Sequence, residues 1–357
     1  MIFQDPEHRL ENHFGRVSVD GQRIPYIEWS VSLPAYDEAD HLTIKAPWTI
    51  GGDGLLASNN KQTTRLLTGK DIPLSIAIAE RQLIAGIMDE IEYEATMSGE
   101  FVRIGGRGKI GRMVERKEIR DLKNRTASSV AQEIFKYHGI TNAVVEGTSS
   151  LIGTYSEGGH GTHSATSNDL DDWELLNWLA EWEGFVVRVT GTKGYFGPHE
   201  NVPEMKLPPI SLLYGRDCEI KGWKRSLSGA RDIIVEGRGY KSTGSGKSSS
   251  TTEYSAYYPR EPQKDDETAI IHKRTMPGHT PEQLKRKVRS VYEELTKQDI
   301  TVDVFVPRYL ELWPDRRVAL QGVGYGLSQV FYATQVIYSE SMDGVTTEIT
   351  LSNKIQR

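Results

Sequence analysis

The sequence predicts an α+β protein that is mainly β, with two β-rich regions on either side of a small mixed α/β region. Short runs of β-branched and aromatic residues, separated by turn-forming residues, dominate both ends of the chain. Helical periodicity is strongest in between, and the 357 residues suffice for two or three domains. We assign residues 1–119 to a first β domain, 120–218 to a mixed domain and 219–357 to a second β domain.

Composition narrows the function classes. The chain has 43 Lys and Arg against 49 Asp and Glu, a net charge of -6, which is not the basic footprint of a nucleic-acid-binding protein. Cys218 is the single cysteine, so neither an intrachain disulfide nor a cysteine-based metal site is expected. We expect no signal peptide, no membrane-spanning helix and synthesis in a reducing cytoplasm.

The first region reads as a series of strands typical of a small barrel or sandwich. The stretch Met97-Ser98-Gly99 is predicted to be the turn of a long hairpin. The predicted strands are 24–33, 41–45, 75–79, 84–93, 100–104 and 110–119.

At Thr126 the pattern changes to a helical one. Thr126 suits an N-cap, apolar residues then recur on one helix face, and Gly139 stands where a helix ends. A second helix is predicted over 169–183, where acidic residues favour the positive N-terminus. It is apolar over most of its circumference, which predicts burial, and it leads into a strand at 185–189.

The second β-rich region contains one predicted helix, 280–298, because Thr280 and Gln283 form a capping box. Residues 241–258 are rich in Ser, Thr and Gly and predict a flexible loop. The region ends, as the first one does, in a long hairpin with a glycine-containing turn, which suggests an internal duplication. The predicted strands are 232–236, 301–306, 317–320, 330–339 and 345–351.

Two short motifs invite an enzymatic interpretation. Residues 147–149 (Gly-Thr-Ser) and 160–164 (His-Gly-Thr-His-Ser) resemble serine peptidase motifs, but in the reverse order and with no Asp motif before them. Residues 244–248 resemble the end of a phosphate-binding loop, but position 241 is Lys and no helix pattern follows. We therefore expect surface loops, no cofactor and no enzyme, with a serine hydrolase using 147–164 as a remote alternative.

Other chemistry-bearing side chains favour structural roles. The histidines of the loops are expected to be solvated rather than metal ligands, and the tryptophans 173, 178 and 182 to pack in a core. The basic run 285–289 reads as the solvated face of its helix. Basic residues from 103 to 117 at alternating spacing fit either a barrel wall or an interface.

The segment 126–198 resembles the baseplate hub family of contractile phages, the late control gene D type, which is related to the N-terminal part of type VI secretion spike proteins. In that family a helix leads through Glu-Gly into a short strand pair. The residues of this chain that match the family's helix are Asp172, Trp173, Leu175, Leu176, Leu179, Ala180, Glu183, Gly184 and Phe185. Weaker similarity at 39–44, 84–93, the helix that begins at Thr280, 318–320 and 335–351 extends the resemblance along nearly the whole chain.

The resemblance implies two tail-tube-like β-barrel domains in each chain and a homotrimer that forms a pseudo-hexameric ring. Such a ring would join a hexameric tail tube, or its initiator proteins, to a trimeric spike within the virion baseplate. DNA would only pass through the lumen. A phage-derived injection or secretion device would use the same ring. Arg103 and Arg112 are our candidate interface residues.

Overall fold

The computed structural model describes residues 15–353 except 36–37, 49–64, 79–80, 98, 118–121, 123, 150, 153–169, 192, 226–231, 244–249, 264–268, 277–278, 296–299 and 325. Its α-helices are α1 (Lys109–Glu115), α2 (Ala127–Tyr137), α3 (Asp172–Glu183), α4 (Pro203–Lys206) and α5 (Pro281–Leu295). Its strands are β1 (Arg16–Val19), β2 (Gln22–Arg23), β3 (Glu28–Pro34), β4 (His41–Pro47), β5 (Pro73–Ile78), β6 (Arg81–Thr96), β7 (Gly99–Gly108), β8 (Asn142–Val145), β9 (Val186–Thr190), β10 (Lys193–Gly197), β11 (Ile210–Leu213), β12 (Glu219–Arg225), β13 (Ile233–Thr243), β14 (Ser250–Tyr258), β15 (Ile270–Thr275), β16 (Ile300–Val306), β17 (Arg317–Gln321), β18 (Val330–Ser341) and β19 (Gly344–Ser352).

The first β-rich region forms a sheet in the order β3-β4-β7-β6-β5-β1-β2. Buried and partly exposed side chains alternate along β3, β4 and β5, as they do when one face of a sheet covers the core. The predicted long hairpin is confirmed, since β6 and β7 pair with Thr96 opposite Gly99. Gly99 has φ +141°, a conformation that glycine adopts without steric strain.

The strand predicted over 110–119 was wrong, because Lys109–Glu115 forms α1. Ile110 and Met113 lie three positions apart and both pack into the core of the mixed region, which is a helical spacing. The Lys109 ammonium donates to the carbonyl oxygen of Gly139, just past the end of α2, at 2.6 Å. Tertiary packing therefore decides the conformation of a segment whose charges alternate as in a strand.

The mixed region packs α2 and α3 against a three-stranded sheet in the order β8-β10-β9 and has its own core. The Thr126 N-cap is confirmed, with its hydroxyl accepting a hydrogen bond from the Ser129 amide. α3 begins at Asp172 rather than at 169, because Asp171 forms a capping box with Glu174. Residue 169, the predicted start of this helix, lies outside the described residues.

The two β-rich regions share one sheet. β18 pairs antiparallel with β3, so the described strands form a continuous 13-stranded sheet whose main path runs from β12 through β16, β19 and β18 to β3 and the first region. The buried apolar residues of this 13-stranded sheet belong to a single core cluster. β11, whose residues fall within the range assigned to the mixed domain, pairs with β17 and so extends this sheet. The ladders of the described residues trace an open path, and closure into two barrels stays a prediction.

The second β-rich region is interrupted by a separate module. Strands β13, β14 and β15 form a three-stranded sheet covered by α5, with its own apolar core. The chain leaves the large sheet after β12, forms this module and returns to the large sheet at β16, which pairs with β12. The loop prediction for 241–258 was wrong for residues 241–243 and 250–258, which lie in β13 and β14 with Ser242 opposite Thr251. Residues 244–249 lie outside the described residues. Ser- and Thr-rich sequences satisfy a strand as well as a loop when a partner strand is present.

Candidate functional site

The motif helix α3 is a packing element. The structure buries Leu175, Leu176, Leu179 and Ala180 within the core of the mixed region, and Trp173 is 6% exposed. A left-handed Gly184 (φ +70°) ends the helix, and Phe185 packs edge-on against Phe196 at a ring distance of 5.6 Å. The buried family-like residues thus hold the mixed region together. Trp178 does not pack in the core as expected, because its side chain is 39% exposed and lies beside the ring of Trp182 at 5.7 Å.

Two carboxylates of the same motif connect α3 to other helices. At its start, Asp172 is buried and lies 2.7 Å from His138, the last residue of the α2 turn. At its end, Glu183 accepts hydrogen bonds from Gln283 (3.2 Å) and Arg286 (3.1 Å) of α5. Burial raises the pKa of Glu183, while the Arg286 charge opposes that rise. These two acids of the motif therefore position neighbouring elements.

The basic run of α5 is only partly solvated, in contrast to its prediction. Arg286 pairs with Glu183, and Lys287 reaches Glu181 at 3.4 Å, so this face of α5 rests on α3. His279 is also buried, against the expectation of a solvated side chain, and stacks on Trp182 with a ring distance of 4.2 Å. These contacts attach the inserted module to the mixed region.

A second buried group, missed from the sequence, joins the mixed region to the second β-rich region. Asp315 accepts a hydrogen bond from Arg188 at 2.8 Å and lies 3.2 Å from His199. Burial by itself would raise the pKa of Asp315, but the Arg188 charge and the His199 hydrogen bond hold it well below its usual range. His199, expected to be solvated, is 2% exposed. The partners stand more than 100 positions apart, so no local pattern reveals them.

The junction between the two β-rich regions contains a third such group. Glu340 on β18 is buried and accepts hydrogen bonds from the Trp29 indole (2.7 Å), the Gly15 amide (2.7 Å) and the Tyr26 hydroxyl (3.0 Å). Burial, followed by the hydrogen bond to Glu340, raises the pKa of Tyr26 to about 12. One side chain from the end of the chain thus satisfies three donors from its beginning.

The outward face of the sheet is polar across this junction. Side chains alternate between the two faces of each strand, and the apolar ones point to the core. The cross-strand pairs on the outward face at this junction are therefore mostly small hydroxyl and charged side chains. An open pocket of about 200 Å³ lies where the two regions meet. The side chains that line this polar face at the pocket include Ser30, Thr43, Lys45, Arg103, Ser339 and Thr346.

The two candidate interface arginines lie on different elements. Arg103 is on the outward face of β7, opposite Glu92 of β6. Arg112 is on α1, where its guanidinium lies 3.3 Å from Asp71 and is half exposed. The structure therefore does not bring them into one cluster, and each presents its charge to a different part of the surface.

The enzymatic motifs gain no support from the described residues. Thr148 exchanges hydrogen bonds with Ser128 at the start of α2, which is a structural role, and Ser149 is exposed. His160, His163 and the 244–248 motif lie outside the described residues. Where side chains are described, no group of three His, Cys, Asp or Glu residues is arranged to hold a metal ion, and no helix is long and apolar enough to cross a membrane.

No protein-family model and no curated protein matches this sequence. Solved structures do match its fold. A tail protein from Neisseria meningitidis MC58 superposes with a TM-score of 0.65 at 13% identity, covering 95% of each chain. The 43 kDa tail protein of prophage MuSo2 from Shewanella oneidensis gives a TM-score of 0.60 at 13% identity, covering 94% of this chain and 97% of that one.

A type VI secretion component from E. coli has the same fold. Its structure is described as similar to the T4 phage tail proteins gp27 and gp5, and it matches with a TM-score of 0.56 at 8% identity, covering 96% of this chain and 77% of that one. The structural neighbours are therefore phage tail proteins and type VI secretion components. The resemblance stated from the sequence is confirmed at the level of the fold.

Proposed function

We propose that this chain is the structural baseplate hub of a contractile phage tail, and that it has no enzymatic role. Three copies form a ring in which the two β-rich regions of each chain alternate, giving six similar positions around a channel. The observation that carries the proposal is the pairing of β18 with β3, which places both regions side by side in one sheet. The fold shared with tail proteins over 95% of both chains supports it.

The ring solves a symmetry mismatch. One face of the ring, with six quasi-equivalent β regions, stacks on a hexameric tail tube or its initiator, and the other face holds a trimeric spike. Other baseplate proteins surround it in the virion. DNA passes through the lumen without a specific site. The likeness to a type VI secretion component favours one alternative, the hub of a phage-derived injection or secretion device, which uses the same geometry.

The polar outward face of the sheet is our candidate for the channel wall. Its side chains at the junction are short hydroxyls with both signs of charge, as at Ser30, Thr43 and Lys45. A surface with charges of both signs offers no continuous row of basic residues to bind DNA phosphates. DNA that passes through the channel is therefore expected to bind its wall only weakly. The opposite face is fully occupied by the core.

The first hairpin is our candidate for the contact between copies. From Asp89 to Thr96, β6 is largely exposed on both faces, and Tyr93 is 55% exposed. This part of β6 is an edge strand, because β5 pairs only with the first part of β6, from Arg81 to Ile87. An exposed edge offers unpaired backbone groups, so we expect a neighbouring copy to pack against it. Interfaces in obligate rings of this kind are large and partly apolar.

The test is the mass and shape of the purified full-length chain. Light scattering is expected to give three copies of the 40.1 kDa chain, about 120 kDa, and negative-stain images of the same peak to show a ring with a central hole. If the chain stays monomeric, the measurement is repeated after co-expression with the adjacent spike gene. A chain that remains monomeric under both conditions contradicts the proposal.

A further inference from the structure

The tips of the two long hairpins carry the same unusual feature. Met97 follows the last residue of β6 and is fully exposed, and Met342 follows the last residue of β18 and is 95% exposed. In both hairpins two residues separate the paired strand ends, Thr96 opposite Gly99 and Ser341 opposite Gly344. Turn tips normally carry polar residues, so two exposed methionines in matched turns need a reason.

Both tips lie at the same end of the sheet. The ladders β18-β3, β3-β4, β4-β7 and β7-β6 are all antiparallel, so β18 and β6 run in the same direction. Each of these two strands ends at its tip. Four strand spacings separate the midlines of the two hairpins, which is roughly 19 Å across the sheet at ~4.8 Å per strand.

The register fixes the relative height of the tips. Glu340, Trp29, Ile44, Ile104 and Ile91 form one row across five strands. The β18 strand continues one residue beyond this row and β6 continues five residues, so the first tip projects about 13 Å further along the strands at ~3.3 Å per residue. The tips are level along a ring axis when the strands tilt by about 35° from it, which is the usual tilt of strands in a barrel.

We infer that the methionine tips are a docking device, two per chain and six per ring, that inserts into an apolar pocket repeated six times on an adjoining ring of the tail. The inference rests on the proposed trimeric hub. Methionine suits the role because its unbranched, polarisable side chain adapts to a pocket, whereas an unpartnered exposed apolar side chain gains nothing in water. The offsets of about 19 Å across the strands and about 13 Å along them place the two tips roughly 23 Å apart. Six tips at that spacing would lie on a circle of about the same radius, because the side of a regular hexagon equals its radius.

The test is methionine oxidation by hydrogen peroxide, read by mass spectrometry of peptides. It compares the purified full-length chain with complete tails isolated from bacteria that carry the whole tail gene cluster. Sulfoxide forms according to side-chain exposure, so both tips are expected to react rapidly in the free chain and at least about tenfold more slowly in tails. Met113, which is fully buried, serves as the slow control in both samples.

The other outcomes overturn the inference. Equal reactivity of the tips in free chain and tails, or protection of only one tip, contradicts a matched six-fold docking device. Protection of both tips already in the isolated trimer assigns them to contacts between copies instead. If the chain is missing from tails, the proposed function fails together with this inference, whereas a trimer found in tails with reactive tips fails the inference alone.

A pair of variants gives an independent measurement. The double substitution M97L/M342L keeps an apolar tip and is expected to yield tails at the wild-type level. The double substitution M97E/M342E buries charges in the proposed pockets and is expected to lower tail yield on the order of tenfold. Because both side chains are exposed, both variants should fold and trimerise normally, and a yield unaffected by the glutamates overturns the inference.

Discussion

At the scale of single residues, buried carboxyl groups connect distant parts of the chain, and three of them show different ways of satisfying such a group. Asp315 is held ionised by Arg188 and His199, which are both positioned by the mixed region. Glu340 accepts hydrogen bonds from three donors of the first β-rich region. Asp40 is fully buried, and its backbone carbonyl oxygen accepts a hydrogen bond from the Gly108 amide. Burial raises the pKa of its side-chain carboxyl group to about 8, although a hydrogen bond from the Gly191 backbone opposes that rise.

Asp40 predicts a stability that falls with rising pH. Its native pKa of about 8 lies above the unfolded value of 3.8, so between these values the native state binds the extra proton. Stability from this group is present in full at low pH and is lost as pH rises towards 8. Asp40→Asn removes this dependence of stability on pH. The substitution is expected to raise the melting temperature at pH 8.5 by several degrees, with little change near pH 4.

Thermal unfolding followed by circular dichroism at pH 4 to 9 measures this difference. The exposed turn residue Asp343 supplies the control, since Asp343→Asn removes a carboxylate without changing a buried site. If wild type and Asp40→Asn show parallel melting curves over the whole range, Asp40 does not titrate as its burial implies.

At the scale of secondary-structure elements, close packing of α5 on β13 defines the inserted module. A Cβ atom built on Gly237 would lie 2.3 Å from Val288 and 3.0 Å from Leu284, closer than any real side chain tolerates. Leu284 and Val288 lie four positions apart on one face of α5, are fully buried and form the stripe that rests on the sheet. A glycine at this position is therefore what lets the helix approach the strand.

Gly237→Ala is expected to destabilise the module by about 1–3 kcal/mol, the usual cost of overpacking a core. Hydrogen exchange should show faster exchange in β13 and α5 while the 13-stranded sheet is unchanged. Adding Val288→Ala removes the clashing methyl groups and should restore part of the loss, and a double variant no better than the single one contradicts this account. Gly222→Ala on β12 is the control, because no atom lies within 4 Å of its added Cβ.

At the scale of the whole molecule, assembly depends on surfaces that one chain leaves exposed. The candidates are the exposed half of β6 from Asp89 to Thr96, the neighbouring Arg103 on the outward face of β7, and the half-exposed Arg112 on α1. Because each copy in a ring contacts two neighbours through different faces, we expect these surfaces to be divided between the two contacts.

Charge reversal tests the two arginines. Arg103→Glu and Arg112→Glu are each expected to lower the trimer fraction several-fold in light scattering at micromolar concentration, because like charges are costly at a packed interface. Lys285→Glu on the exposed side of α5 is the control. Unchanged assembly in both variants removes the arginines from the interface, and loss with Arg112→Glu alone assigns Arg103 to the channel wall.

The features that depend on residues close together in the chain could be predicted from the amino-acid sequence. The Thr126 and Thr280 caps, the left-handed Gly184 and the two hairpin turns are stabilised by contacts within a few positions, so their residue types predict them. The motif of α3 was equally local, and it was sufficient to indicate the fold that the tail proteins share.

The way in which these elements combine depends on long-range contacts and could not be predicted from local sequence. The helix at 109–115, the pairing of β13 with β14, the junction of β18 with β3 and the buried group around Asp315 all depend on partners tens to hundreds of positions away. Their free energy comes from burial and pairing that exist only once the chain has folded, so alternating charges or a Ser- and Thr-rich run fit several conformations equally well.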